Sequence, residues 1–400
     1  MRRINTIQLL PTKHQKKILK ELMTLSSCVY NMSNYIVRQQ IINKEKISSH
    51  FTLQKELQKT DDYKLIGRSY ALPKIHKYSE TVSSFFALIK LKIQKHVGLP
   101  KYYKNRKTNT TLPSNLVMDG MQFEIFEKNV RIPLSHPMRK KHSLNKFKIK
   151  YNGILRYKGK QCRSEIIYKE KKFYLMQSVE IQDIDQQQIV NSVGVDLGVK
   201  RLISFYTSNG HSLTIGSNRY FKQWQHYNKI IANEQQYLSY LNRKSSNKLK
   251  RLFSHRKKYQ KQLFDNIIKS FFKKMAKNNI QQIFIGDVKG IRDSGSKGKI
   301  TNSMINNYWS YNIFYNKLQG KAEELGITFI KITEEYTSQT CPECGFAHKG
   351  NNKDRDFNCK ECNYSDDRDI VGAKNILQKG MYGSLQNIHR NEVVPLEVSV

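Results

Sequence analysis

Cys341-Pro342-Glu343-Cys344 and Cys359-Lys360-Glu361-Cys362 are two CxxC pairs separated by fourteen residues. Two such knuckles present the four thiolates that bind tetrahedral Zn²⁺, and a closed four-cysteine shell leaves no position open for water or substrate. The expected role is structural, the metal supplying folding energy to a segment too short to fold by itself. Phe346, Phe357 and Tyr364 are expected to cover it. A different chemistry needs hard oxygen ligands. Hydrolysis of a phosphodiester with two Mg²⁺ requires carboxylates converging on ions about 3.5–4 Å apart. Acids remote in sequence meet this demand if each ends a strand of one sheet, and Asp196 ends the apolar run Ser192-Val193-Gly194-Val195. A single Asp there is also an ordinary turn or cap residue, so Asp196 alone decides nothing.

The charge balance narrows the partners. Seventy Lys and Arg against 32 Asp and Glu give a formal charge of +38 over 400 residues. A compact state so charged repels itself unless an anionic polymer joins it, and nucleic acid is the natural candidate. Charge names the partner class, not the activity. No apolar run reaches the roughly 18 residues of a membrane span, and the N-terminus lacks a signal core. A cytoplasmic, nucleoid-associated protein is expected, with clustered cysteines serving metal and not disulfides. Cys28 and Cys162, which stand alone, read as buried small apolar residues.

Several elements must position these groups. Residues 4–10 alternate as a strand, and Thr12 with Gln15 forms a capping box opening a helix. Helical periodicity runs on to about residue 95 with a break at Leu72-Pro73. The segment Lys101-Tyr102-Tyr103-Lys104 interleaves basic and aromatic side chains, as a phosphate-tracking, base-stacking loop does. From 116 to 181 short alternating stretches predict a β-rich, barrel-like body, and Gln182 to Gln188 a linker. Ser192–Asp196 then reads as a buried strand, followed by a hairpin whose Ser208-Asn209-Gly210 suits a type I′ turn. A long helix carries Leu249, Leu252, Phe253, Leu263, Phe264, Ile267, Ile268, Phe271, Phe272 and Met275 on its core face. Its other face bears Arg243, Lys244, Lys248, Arg251, Arg256 and Lys257 without an acid, a platform for a phosphate backbone. Next come a strand over 282–287, a helix containing Trp309, Ile313, Phe314, Leu318 and Ala322 that Gly326 closes, and a strand over 327–332. The order β-β-β-α-β-α-β-α is that of an RNase H-like fold.

Gly194-Val195-Asp196-Leu197-Gly198-Val199, Tyr336-Thr337-Ser338-Gln339-Thr340-Cys341-Pro342-Glu343-Cys344-Gly345, Cys359 with Cys362, and Asp367-Arg368-Asp369-Ile370-Val371-Gly372-Ala373-Lys374-Asn375-Ile376-Leu377 closely resemble the RuvC and zinc-finger motifs of TnpB (OrfB) proteins, relatives of Fanzor proteins and type V CRISPR effectors. The resemblance is most specific over 190–379. Leu9-Leu10-Pro11-Thr12, Ser84-Phe85-Phe86 and Pro100-Lys101-Tyr102 look like the family's N-terminal half. It implies an α/β plus all-β chain: a wedge-like β-barrel over 1–12 and 108–185, a helical recognition lobe over 13–107, a RuvC-like nuclease domain over 190–336 and 366–379, an inserted zinc ribbon over 337–365, and a tail over 380–400. It further implies a transposon-encoded, Mg²⁺-dependent, RNA-guided DNA endonuclease. The cofactors would be two Mg²⁺, structural Zn²⁺ and a guide RNA, the partners double-stranded target DNA and a co-encoded transposase. By the same carry-over Asp196 and Asp369 are catalytic magnesium ligands, with Asp367 the less favoured neighbour.

One departure matters. Most TnpB proteins carry a glutamate ending the fourth strand, where this chain has Ile283-Phe284-Ile285-Gly286-Asp287. Three explanations compete. Asp287 substitutes, although strand side chains alternate faces and a residue one place along starts on the wrong one. Alternatively Glu334, at the end of the neighbouring parallel strand, reaches the same ions across an interstrand gap of about 4.8 Å. Fanzor proteins and some TnpB relatives show a similar glutamate just before Thr-Ser, which favours Glu334 over Glu335. The third is loss of catalysis, leaving a nuclease-inactive, RNA-guided DNA-binding repressor. Glu334 is the expectation carried forward, with Asp196 and Asp369.

Overall fold

The computed structural model describes residues 1–91, 97–186, 188–199, 201–216, 218–287, 310–348 and 355–385. The chain divides into two compact units between Asp183 and Ile184, inside the polar stretch 182–188.

The first unit begins with β1 (Arg2–Leu10), and Thr12 and Gln15 form the expected reciprocal cap on α1 (Lys13–Ile42). Short helices α2 (His50–Leu57) and α3 (Asp61–Ile66) lead into α4 (Arg68–Lys90). The break expected at Leu72-Pro73 falls instead at Gly67, whose φ of +85° suits glycine; Pro73 lies within α4. The remaining elements are β2 (Leu116–Met118), β3 (Glu124–Ile125), β4 (Asn129–Arg131), α5 (His136–His142), β5 (Lys148–Asn152), β6 (Lys160–Gln161), β7 (Ser164–Lys169) and β8 (Lys172–Glu180). They make one eight-stranded sheet in the order β2-β7-β8-β1-β5-β4-β3, with β6 also on β8. Strand β1 pairs with β8 from Arg2↔Glu180 to Leu9↔Phe173, which draws the N-terminus into the middle of the sheet. Among the described residues no pairing joins β2 to β3, so the ladder is open. Ile7 and Leu9 share their core with Ile18, Leu19 and Leu22 of α1.

The second unit is built on β9 (Ser192–Asp196), β10 (Ile203–Thr207), β11 (Ser212–Ile215), β12 (Gln282–Asp287) and β13 (Thr328–Thr333). Their order is β11-β10-β9-β12-β13; the first three are antiparallel, and β12 runs parallel to both neighbours. The hairpin between β10 and β11 is present, but its turn is not type I′. Gly210 N donates to Thr207 O, and of the loop residues only Gly210 has positive φ, as in a three-residue loop with a glycine bulge. Helices α6 (Asn218–Tyr240), α7 (Asn247–Lys277) and α8 (Tyr311–Glu324) follow, then the ribbon strands β14 (Asp356–Asn358) and β15 (Ser365–Asp367) and finally α9 (Arg368–Tyr382).

The sheet is covered on both faces. Val193, Val195, Ile283 and Ile285 pack with Phe264, Phe271, Phe314 and Leu318 of α7 and α8. Phe284, Ile330 and Ile332 pack with Ile376 and Leu377 of α9. Two residues expected in the core are outside it: Phe253 and Ile313 are 39% and 52% exposed. Ile313 lies away from the Tyr311, Phe314, Leu318 and Ala322 face of its helix, and near Phe253 it is Leu249 and Leu252 that join the small cluster with Ile231 and Leu238 of α6. Gly326, at φ +67°, ends α8 as expected. Trp309 lies outside the described residues, as does the tail from 386 onward. Among the described residues no helix is long and apolar enough to cross a membrane.

Candidate functional site

Strand alternation places the acids. A Cβ on Gly194 would come within 2.7 Å of Leu377 Cβ, so that face of β9 lies against α9, and Asp196, two residues on, shares it. On β12 the same face holds Phe284, which lies on Gly380 of α9, and hence Gly286. On β13 it holds Ile330 and Ile332, and so Glu334 just beyond the strand. Ile285 pairs with Val195, so Gly286 is level with Asp196, and Gly286 pairs with Ile332. Asp196, Gly286 and Glu334 therefore stand together at the carboxyl ends of three adjacent parallel strands.

Gly286 is where the Glu334 carboxyl rests. A Cβ at 286 would overlap Glu334 Oε1 and lie 2.8 Å from its Cδ and Cγ. The missing side chain and the displaced carboxylate are one feature. Helix α9 closes the group from above: a Cβ on Gly372 would reach 2.8 Å from Asp196 Oδ2, and Asp369 sits one helical turn before Gly372.

The electrostatics agree with this grouping. Burial, then the Asp369 charge, raises Asp196 from 3.8 to about 7. Burial, then Asp196 and Asp287, raises Glu334 from 4.5 to about 8. Glu334 Oε1 is buried and has no hydrogen-bond partner among the described residues. Such a carboxylate oxygen is costly unless a proton or a cation meets it. A set of hard oxygens with one orphaned and two reluctant to ionise fits a divalent cation such as Mg²⁺. Asp287 falls on the opposite face, where Tyr311 Oη donates to it at 3.4 Å and Lys331 Nζ lies at 3.7 Å. Glu335 is exposed.

Two further contacts fix these acids. Asn375, fully buried on α9, donates at 2.7 Å to both Thr337 O and Thr340 O, tying the segment after Glu334 to the helix that carries Asp369. Arg201, in the loop before β10, donates through Nη1 to Asp367 Oδ2 and, at 3.2 Å, to Asp369 Oδ2. In the sequence Arg201 is unmarked, and Asn375 stands out only as part of the Asp367–Leu377 motif, with no role of its own. Nothing in the local pattern connects Arg201 to acids 166 and 168 positions away.

The four thiols gather as the spacing demands. Cys341 Sγ lies 3.7 Å from Cys362 Sγ and Cys344 Sγ 3.5 Å from Cys359 Sγ, all four atoms lying within 4.8 Å of one another. A tetrahedron with Zn–S bonds of about 2.3 Å has edges of about 3.8 Å, so the donors fit zinc. Burial pushes the Cys359 thiol up, but N–H donors of Cys362 and Glu361 and the His348 ring outweigh it and bring it down to about 6. Phe357 is buried with Cys341, Cys359 and Val371, and Tyr364 packs beside them; Phe346 is 41% exposed. His348, unmarked in the sequence, stands edge-on between Phe346 and Phe357 at 5.0 and 5.2 Å. Cys28 and Cys162 are half-buried, less enclosed than expected.

The basic candidates divide. Lys101, Lys104, Arg243, Lys244, Arg251 and Lys257 are exposed. Lys248 is exposed too but pairs at 2.7 Å with Glu234 of α6, an acid remote from α7 in sequence. Arg256 turns inward over the Trp224 and Phe253 rings. Tyr102 lies beneath Arg38, and Tyr103 stands edge-on to Tyr30, so both rings are partly used in holding their loop to α1.

Comparison with known proteins adds an independent line. A family profile described as a probable transposase matches residues 176–292, and one described as a Cas12f1-like TNB domain matches residues 311–376. The TnpB-like protein ORF457 of Acidianus two-tailed virus is 26% identical over 378 residues, spanning 85% of this chain and 79% of the relative. The CRISPR-associated endodeoxyribonuclease Cas12f1 of an uncultured archaeon is 27% identical over 54% of this chain, and this chain covers 43% of that protein. Among solved structures, Cas12f1 in a complex with single-guide RNA and target DNA superimposes with a TM-score of 0.59 at 17% identity, over 91% of this chain and 83% of that one. At that identity the likeness concerns the fold alone.

Proposed function

Because this chain belongs to the family of TnpB proteins and type V effectors, we propose that it is a transposon-derived, RNA-guided DNA endonuclease whose five-stranded sheet is a RuvC-like nuclease core of the RNase H type. The observation that carries the reading is the Glu334 carboxyl lying in the space that Gly286 leaves open, on the same face as Asp196. That arrangement answers the apparent loss of an acid on β12 and speaks against a nuclease-inactive reading.

Asp196, Glu334 and Asp369 would hold two Mg²⁺. When bound, the ions activate a water for attack on a phosphodiester and stabilise the leaving oxygen. The chain's own residues prepare for this. Asp196, raised by burial and by Asp369, and Glu334, raised by burial and by Asp196 and Asp287, would give up protons as positive charge arrives. Gly286 leaves Glu334 its position, and Asn375 holds the segment that carries it. The zinc ribbon, between β13 and α9, ties the two chain ends that bring Glu334 and Asp369 together. Exposed Lys101, Lys104, Arg243, Lys244, Arg251 and Lys257 supply charge for phosphate backbones. Tyr102, Tyr103, Lys248 and Arg256, already engaged within the protein, contribute less.

In this reading the first unit comprises the helical recognition lobe and the wedge-like sheet. A guide RNA pairs with one strand of double-stranded DNA while the protein reads a short flanking motif, so most sequence choice lies in RNA. A transposase encoded alongside would complete the mobile element. The test is to purify the protein with its co-expressed RNA, sequence that RNA and incubate the complex with matching and mismatched supercoiled plasmids in Mg²⁺. Nicking or linearisation of the matching plasmid alone is expected. Guided binding without a nick in any divalent metal would refute the nuclease and leave a guided DNA binder.

A further inference from the structure

We propose that Arg201 is a positioning residue that decides which carboxylate of Asp367-Arg368-Asp369 is left to bind metal; this rests on the metal-site reading above. The two aspartates begin α9 two residues apart, and both are half-buried. The resemblance favours Asp369 over Asp367, and the hydrogen bonds supply a physical reason. Asp367 is N-cap of the helix: its Oδ1 accepts from Asp369 N at 2.9 Å and its Oδ2 from Arg201 Nη1. Both of its oxygens are committed. Asp369 accepts from the same guanidinium nitrogen through Oδ2 alone, at 3.2 Å, and Oδ1 takes no hydrogen bond among the described residues. Asp369 thus keeps one oxygen for an ion and is held by the other.

Arg201 is set firmly enough for this task. A Cβ on Gly198 would overlap the Arg201 carbonyl oxygen, and one on Gly216, at φ +117°, would come 2.7 Å from Leu202 N, so residues 201 and 202 are packed between two glycine backbones. Nη1 carries two N–H donors, one for each carboxylate, and the guanidinium keeps its charge at any working pH. Without Arg201, Asp367 Oδ2 would lose its partner and compete for the ion from a place farther along the chain from Gly372, the residue that lies against Asp196.

The test compares Mn²⁺ affinities of the full-length, zinc-loaded protein, read from the EPR signal of free Mn²⁺. With Arg201 present, Asp369→Asn should weaken binding by about tenfold or more while Asp367→Asn changes it by less than about twofold, given the usual cost of losing a ligand or its orienting partner. In the Arg201→Gln background, Asp367→Asn should become costly and the gap between the two aspartates should shrink. Equal losses from Asp367→Asn and Asp369→Asn with Arg201 in place would overturn the proposal. So would a gap that survives Arg201→Gln. Far-UV circular dichroism and zinc content identify a variant that fails to fold, and the comparison with native Arg201 stands without the double variants. Mn²⁺ affinity indifferent to both Asp196→Asn and Asp369→Asn would overturn the metal-site reading itself, and this proposal with it.

Discussion

Gly286→Ala probes the relocated acid with a single methyl group. The new Cβ would lie 2.8 Å from Glu334 Cγ and Cδ, against an ordinary carbon–carbon separation of about 3.5–4.0 Å, so the carboxylate must retreat by roughly 1 Å. Glu334 follows the last residue of β13 and its side chain can rotate away, so the fold loses little stability. The site loses its ligand. A displacement of about 1 Å from productive geometry costs on the order of 100-fold in rate, or about 2.7 kcal/mol in the barrier. Single-turnover cleavage of a labelled matching duplex by the RNA-loaded protein measures this directly, with the thermal midpoint as control. Gly286→Glu combined with Glu334→Ala should recover part of the rate, because the new carboxylate starts from the same face of β12. Native-rate cleavage by Gly286→Ala would refute the claim that the space over this glycine belongs to the catalytic acid.

Other expectations follow from the same geometry. Asp196→Ala should abolish cleavage and leave RNA binding, measured by filter retention, unchanged. Asp196 and Glu334 titrate at about 7 and about 8 in the folded protein, above their unfolded values, so the folded state holds extra protons between roughly pH 4 and pH 8. Their contribution to stability is complete at the acid end and lost as pH rises through the folded values. The thermal midpoint of zinc-loaded, magnesium-free protein should therefore gain from Mg²⁺ more at pH 8 than at pH 5.5. Removing zinc with a strong chelator should release one ion per chain, unfold the ribbon and stop cleavage, as metal release and activity assays report. Asn375→Ala leaves two buried carbonyls unpaired, and urea unfolding should show a loss of about 1–3 kcal/mol.

The legible parts of this protein are those where local chemistry carries the signal. Two CxxC pairs announce their metal through spacing, and the gathered thiols follow from it. Thr12 with Gln15 caps a helix wherever an apolar stripe follows, and strand alternation alone separates Gly286 from Asp287. Tertiary packing hid the remainder. Leu72-Pro73 suggests a break, yet the turn belongs to Gly67, whose φ of +85° suits glycine, and α4 runs on through Pro73 without the backbone hydrogen bond that residue cannot donate. Asn209-Gly210 suited a type I′ turn, but the strands pair with a three-residue loop and only the glycine takes positive φ. Tyr102 and Tyr103 carried a nucleic-acid pattern that their packing on α1 partly consumes. Arg201, His348 and Asn375 matter through partners that no periodicity relates to them.

The central claim is that Asp196, Glu334 and Asp369 share the same pair of cations. A crystal of the RNA-loaded protein soaked in Mn²⁺, with data collected at the manganese absorption edge, tests it most directly. The account predicts anomalous peaks within coordination distance of all three carboxylates, with Glu334 Oε1 among the ligands. Peaks held by Asp196 and Asp369 with Asp287 in place of Glu334, or no peak at this edge of the sheet, would contradict it.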